Sequence, residues 1–232
     1  MLATVFLIPA PLEEESLQAI PAYVLAAIKQ CNVLFAENER TARRYLKKLD
    51  KAIVIDDYEW YTIHKAEQEV KQAFIQQLKA GKTIGIVSEA GCPGIADPGQ
   101  VLIDAAHQHG AIVKPLVGPS SILLALMGSG MNGQQFAFVG YLPIDEQQRK
   151  KKLQQLEEYS SKQQSTQVFI ETPYRNNQLL ETILKTCKPT TRICVAANLT
   201  AVNESIVTKT VADWKKEKPE LHKQLVIFCL MG

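Results

Sequence analysis

The sequence is short of the residues that build metal sites and disulfide scaffolds. Its four histidines stand at no ligand spacing, so no metal is expected. Its five cysteines, Cys31, Cys92, Cys187, Cys194 and Cys229, make an odd count without a CxxC pair. That argues against both a disulfide framework and a zinc site, and it suits a reducing cytoplasm. Long apolar runs are missing as well: no stretch approaches the roughly 20 residues that cross a bilayer. The opening MLATVFLIPAPLEEE lacks a basic segment and turns acidic too early for a secretory signal. A cytoplasmic protein that does not enter a membrane is the expectation. Charge of one sign is lacking too, since 26 Lys and Arg against 24 Asp and Glu leave a formal net charge of +2. A strongly basic nucleic-acid protein is thereby excluded, whereas a local basic patch is not. The P-loop, HExxH, GxSxG and kinase signatures are absent. Gly128–Gly133 matches GxGxxG by letter, but it follows the helix-like ILLALM and precedes the strand-like QFAFVGY. The dinucleotide fingerprint needs the reverse order, so this stretch reads as a helix end and a loop.

What is present is the material of an α/β protein. Apolar residues make up 46% and charged residues 22% of 232 positions, enough for packed cores in one large domain or two ordinary ones. In the first half, the strand-like segments LATVFLI, NVLFA, AIVID, TIGIVS and AIVKPL alternate with helix-like ones at Ser16–Gln30, 37–49, His64–Lys79 and 98–109. Repeated β–α units with short connections predict a mainly parallel sheet covered on both faces. The second half predicts helices at 119–127, 146–158 and 174–186 between the strands QFAFVGYL, TQVFIE and RICVAAN. ESIVTKTV and KQLVIFCLM then follow with a short interruption, which predicts antiparallel pairing and a mixed sheet. The fold class is therefore two α/β domains, 1–116 and 117–232, with the boundary near Leu116–Pro119.

The punctuation is uneven. Residues 87–99, VSEAGCPGIADPG, hold three glycines and two prolines directly after an apolar strand. Open α/β sheets bind ligands at such strand ends, where small residues let the backbone approach and a helix N-terminus offers free N–H groups. Asp97 before Pro98 reads as a helix N-cap followed by proline at the first helical position. Ile8–Pro11, Gly118–Ser121 and Glu171–Pro173 repeat the design after other strands. Each alone is an ordinary turn; together they suggest one crevice.

These residues resemble a family. SEAGCPGIADPG is similar to the SDAGTPxISDPG motif of the 16S rRNA ribose 2′-O-methyltransferase branch of the tetrapyrrole (corrin/porphyrin) methylase superfamily. AENERTARRYL, PLVGPSSILLALMGSGM, FVGYLP and ETPYR resemble further motifs of that branch, in the same order along almost the whole chain. The resemblance implies two domains with S-adenosylmethionine in the cleft between them, a homodimer, and ribosomal RNA as substrate. Carried over by position, it implies cofactor contacts at Pro9, Gly91, Cys92, Ile95, Ser120, Ser121, Phe169, Ile170 and Ala197. On this reading a branched side chain in place of Gly91 would enter the space the ligand needs. The sequence departs from the branch in loops. IPAPLEEE replaces a Gly-Asn with three glutamates, Ala197–Thr200 lacks both charges of RELT, and EWYTIHKAEQE keeps only His64 of a histidine-rich segment.

Methyl transfer from a sulfonium needs orientation, and a base where the nucleophile is a hydroxyl. Glu37, Arg40 and Glu171 are the catalytic candidates. Glu37 follows a strand end and shares i, i+3, i+6 spacing with Arg40 and Arg43, a pattern that equally makes a solvated ion-pair face. Arg43, Arg44 and Arg175 are candidates for holding RNA. The run Arg149–Lys152 reads as a solvated face, and Tyr58, Trp60 and Tyr61 as an aromatic loop that stacks bases or packs between copies. Two other functions compete: methylation of a small molecule such as a tetrapyrrole, and S-adenosylmethionine binding without catalysis.

Overall fold

The computed structural model describes residues 2–63 and 67–232; His64, at the start of a predicted helix, lies outside them. The chain divides into two units, Met1–Ser120 and Ser121–Gly232.

The first unit runs β1 (Thr4–Ile8), α1 (Tyr23–Ile28), β2 (Val33–Ala36), α2 (Glu39–Leu49), β3 (Glu59–Thr62), α3 (Glu67–Lys79), β4 (Thr83–Val87), α4 (Gln100–Gln108) and β5 (Ile112–Pro115). Its sheet has the order β3-β2-β4-β1-β5 and every pairing is parallel. The strands are apolar on both faces because helices cover both. Side chains alternate accordingly. Phe6, Ile8 and Leu34 join Val24, Ile28 and Leu46 on one face, while Val5, Val33, Phe35 and Ile84 join Phe74 and Leu102 on the other. Gly85 is small by necessity: a Cβ there would lie 2.6 Å from Ile8 Cδ1 and from Leu34 Cδ2.

Two predicted elements differ in this unit. Ser16–Gln30 is not one helix; Pro21 separates a 3-10 turn at Leu17–Ala19 from α1, as a residue without an N–H does. The segment 52–56 is not a strand either. A 3-10 turn at Ile55–Asp57 replaces it, and the aromatic Trp60-Tyr61 pair supplies the edge strand β3. Its register comes from β2, through Glu59 N to Asn32 O (3.0 Å) and Ile63 N to Ala36 O (2.8 Å). Trp60 and Tyr61 therefore stand in a strand and not in a loop. Tyr61 stacks on Phe35 at 4.7 Å, and Trp60 packs edge-on to Tyr58 at 6.3 Å.

The second unit runs α5 (Ser121–Ser129), β6 (Phe136–Tyr141), α6 (Glu146–Gln163), β7 (Thr166–Ile170), α7 (Asn176–Thr186), β8 (Arg192–Ala197), β9 (Ser205–Thr210), α8 (Val211–Lys216) and β10 (Val226–Met231). The sheet order is β6-β7-β10-β8-β9, with β6–β7 parallel and the other pairs antiparallel. The mixed sheet is as expected, but β9 and β10 do not pair with each other. Both flank β8, since β10 inserts between β7 and β8. Helix α8 makes the room, anchoring through Trp214 Nε1 to Ile193 O at 2.9 Å. Nor is Arg149–Lys152 a uniformly solvated run. Arg149 is buried, donating to Ile144 O at 2.8 Å and to Thr182 Oγ1 at 3.3 Å. The GxGxxG letters fall at the end of α5, where Gly130 takes φ +64°. All five cysteines are free thiols. Among the described residues no helix is long and apolar enough to cross a membrane, and no three metal-binding side chains cluster.

Candidate functional site

Three turns meet in the first unit. Ala10 N donates to Gly91 O at 2.9 Å and Gly91 N donates back to Ala10 O at 3.0 Å, tying the end of β1 to the loop after β4. Tyr45 OH donates to Pro9 O at 2.9 Å from α2. Cys92 Sγ faces Pro119 O at 3.5 Å and Gly118 O at 3.7 Å, which adds the turn after β5. Gly118 has no space for a side chain, because an added Cβ would overlap the Pro9 ring. Pro9, Gly91 and Cys92 are thus brought together, and Ile95 of the same loop is 54% exposed.

The loop geometry adds backbone strain at Gly91 and corrects the expected cap at Asp97. Gly91 takes φ +76°, and a Cβ there would face Leu12 Cδ2 at 3.4 Å and Pro119 O at 3.5 Å. A larger residue would strain the loop from within, because this left-handed backbone disfavours any side chain. Asp97 is not the cap of α4. The cap is Gly99 at φ +116°, and Ala96 is also left-handed at φ +60°, a conformation that costs a non-glycine residue. These turns carry Asp97 inward, where its Oδ2 is buried with no hydrogen-bond partner among the described residues. Burial, then the Glu37 and Glu89 carboxylates, push its carboxyl up to about 7.

Glu37 precedes α2 and is not part of it; Asn38 is the cap, accepting from Thr41 N at 3.2 Å. Glu37 Oε2 accepts from Glu89 N at 3.2 Å. Glu89 Oε1 in turn accepts from Asn38 Nδ2 (3.2 Å) and Thr41 Oγ1 (3.3 Å). The ends of β2 and β4 are cross-linked by this network. Arg40 is exposed on α2. Arg43 and Arg44 are not freely presented. Arg43 pairs with Glu39 at 2.5 Å and lies 5.1 Å from the Trp60 ring centre. Arg44 pairs with Glu14 at 3.0 Å, and Lys48 pairs with Glu14 at 3.1 Å and Glu15 at 2.6 Å. Two glutamates of the first loop therefore pair with Arg44 and Lys48 of α2. Beside them is a pocket of about 230 Å³, walled by Pro11, Leu12, Ala42 and Tyr45 and rimmed by Glu14, Lys48 and Glu89.

In the second unit, the start of β10 separates two strand ends. Ile227 lies between Ile170 of β7 and Ala196 of β8, and Val226 faces Ala197. The Phe169 ring is buried and stacks on Phe228 at 5.8 Å, so it serves the core. Ser121 begins α5; Ser120 closes the first unit. Glu171 and Arg175 hold each other. Glu171 Oε1 accepts from Arg175 Nη2 (2.7 Å), Arg175 Nε (3.0 Å) and Thr172 N (2.7 Å). The Glu171 side chain is 1% exposed and Arg175 31%.

Residues 16–214 match the tetrapyrrole (corrin/porphyrin) methylases. The chain belongs to this family. A Halalkalibacterium halodurans protein named ribosomal RNA small subunit methyltransferase I is 31% identical over 182 residues, covering 78% of this tetrapyrrole methylase and 59% of the relative. The Vibrio cholerae serotype O1 protein of the same name is 28% identical over 98% of this chain and 76% of its own length. Two solved structures share the fold. The methyltransferase CobJ matches with a TM-score of 0.65 at 16% identity, over all of this chain and 94% of its own. Uroporphyrin-III-C-methyltransferase from Thermus thermophilus matches at 0.57 and 16%, over 98% of this chain and 91% of its own. Sequence reasoning missed two features of this tetrapyrrole methylase. Asp97 was hidden because Asp-Pro reads as a cap, although a glycine two residues on was a signal that the helix starts later. The Glu14–Arg44 pair joins residues 30 apart, and no local pattern announces it.

Proposed function

We propose that this chain is an S-adenosylmethionine-dependent methyltransferase that acts on small-subunit ribosomal RNA, at a ribose 2′-hydroxyl. The carrying observation is the reciprocal Ala10–Gly91 bridge, which holds two small-residue turns side by side with the Gly118–Pro119 turn. An adenosyl group fits such a place, which offers close backbone approach and an apolar wall such as Ile95. Pro9, Gly91, Cys92, Ile95 and Ser120 of the first unit would contribute. The family resemblance further implies cofactor contacts at Ser121, Phe169, Ile170 and Ala197. The names of the relatives support RNA as the acceptor. A cytoplasmic homodimer completes the reading.

S-adenosylmethionine, when bound, supplies a methyl group on a sulfonium. The chain's own residues orient the acceptor and take its proton. Asp97 is the base in this scheme: its proton affinity is matched to neutral pH and its Oδ2 has no competing partner. Glu37 raises that affinity through its charge and holds the Glu89 backbone. Glu171 is a positioning residue for Arg175 and not a proton acceptor, since its buried carboxylate already holds a guanidinium. Arg40 contacts phosphate.

The test is incubation of the purified protein with methyl-labelled S-adenosylmethionine and undermethylated small-subunit RNA, followed by nucleoside mapping. A single labelled 2′-O-methyl nucleoside is expected. Label on a tetrapyrrole alone, or cofactor binding by calorimetry without any transfer, would replace the proposal with one of its competitors.

A further inference from the structure

We propose that Tyr174, backed by His222, is a stacking platform for a nucleobase of the RNA substrate; the inference rests on the RNA reading above. Tyr174 is 70% exposed, and its ring meets the His222 ring edge-on at 5.8 Å. A single exposed aromatic residue is common on protein surfaces. This one differs in how it is held.

The backbone on both sides of Tyr174 is locked. Thr172 N donates to Glu171 Oε1 at 2.7 Å, and Arg175 N donates to Thr172 O at 2.9 Å. Lys223 N donates to Pro173 O at 3.0 Å. The His222 segment is pinned in turn by Asn176 Nδ2 to Gln224 O (2.8 Å) and by Asn198 N to Leu225 O (2.8 Å). A ring with two side-chain torsions on a fixed backbone loses little entropy on binding. Exposed Lys223, whose backbone N–H bonds Pro173 O, supplies a cation for a polyanion, and Arg175 follows the ring in sequence with its guanidinium held by Glu171. Two acids are tied to this segment: Glu171, whose charge Arg175 engages, and Glu220, which accepts from Asn177 Nδ2 and His222 N. Aromatic side chains among cations are the usual surface for single-stranded bases, because every base has a π-face. The ring also follows Ile170, at the end of the proposed cofactor segment, by four positions in the sequence.

The experiment measures binding of a fluorescent small-subunit RNA fragment to wild type, Tyr174→Ala and Tyr174→Phe at two salt concentrations, with S-adenosylmethionine affinity measured alongside. Tyr174→Ala is expected to weaken RNA binding about five- to a hundred-fold, the loss of one stacked base, with an unchanged salt slope because no phosphate contact is removed. Tyr174→Phe is expected to bind like wild type, and all three proteins to bind the cofactor equally. Wild-type RNA affinity in Tyr174→Ala overturns the platform, as does a loss in Tyr174→Phe equal to that in Tyr174→Ala. If wild type binds no RNA at all, the RNA reading itself fails and the platform with it.

Discussion

The Glu14 carboxylate lies 3.0 Å from the Arg44 guanidinium, across 30 residues of sequence. It shares Lys48 with Glu15, and Lys48 and Arg44 hold its carboxyl below the usual range. On the proposed RNA reading, these glutamates compete with phosphates for the same cations. Replacing Glu14 with Gln is expected to tighten RNA binding about two- to five-fold at low salt and to steepen its salt dependence, because the freed cations can then release counterions. Filter binding at about 50 and 200 mM salt reads both effects. A variant with weaker binding would show that the pair organises the RNA surface and does not compete with it.

Asp97 ties stability to pH and, as the proposed base, methyl transfer as well. Its folded carboxyl titrates at about 7 against an ordinary value of 3.8. The unfolded chain therefore releases the proton first. Stability from this group is complete below pH 3.8 and is lost as pH rises to about 7. Asp97→Asn should be more stable than wild type above that window, by about 1–2 kcal/mol after allowance for the site's partial exposure to solvent, and should differ little at acid pH. Denaturant melts at pH 5 and pH 8.5 are the check. Methyl transfer in the same variant should fall about 10²- to 10⁴-fold, and the wild-type rate should rise with pH around 7.

Gly91 is expected to be a structural position. At φ +76° with Leu12 and the Pro119 carbonyl near its missing Cβ, Gly91→Ala should cost about 1–2 kcal/mol of stability. Thermal unfolding without cofactor should already show the loss. If unliganded stability is unchanged while cofactor binding falls, the residue acts on the ligand directly.

Arg175→Met should be among the more damaging changes in the second unit. It leaves the Glu171 carboxylate, 1% exposed, without its cation, at a cost of about 2–4 kcal/mol. The double change with Glu171→Gln should recover about half of that, since a neutral amide needs no counter-charge. A double-mutant cycle by chemical denaturation measures the coupling.

The sequence by itself was enough for the alternation of strand and helix, the parallel first sheet, the mixed second sheet and the small-residue turns that make up the candidate site. All of these are written in short-range terms: hydrophobic period, length of run, and the glycines and prolines that end it. Left to the tertiary structure were relations between residues far apart. The sequence shows nothing of β10 entering between β7 and β8, because any two apolar strands satisfy the same local pattern until a third competes for the edge. The edge strand slid from 52–56 to Glu59–Thr62 because β2 offered its free backbone groups there. Asp97 became a half-buried acid and Arg44 a paired base only once Ala96 and Gly99 had turned the chain and Glu14 had reached α2. Burial and charge pairing depend on which segments meet, and a carboxylate's chemistry follows its surroundings more than its own identity.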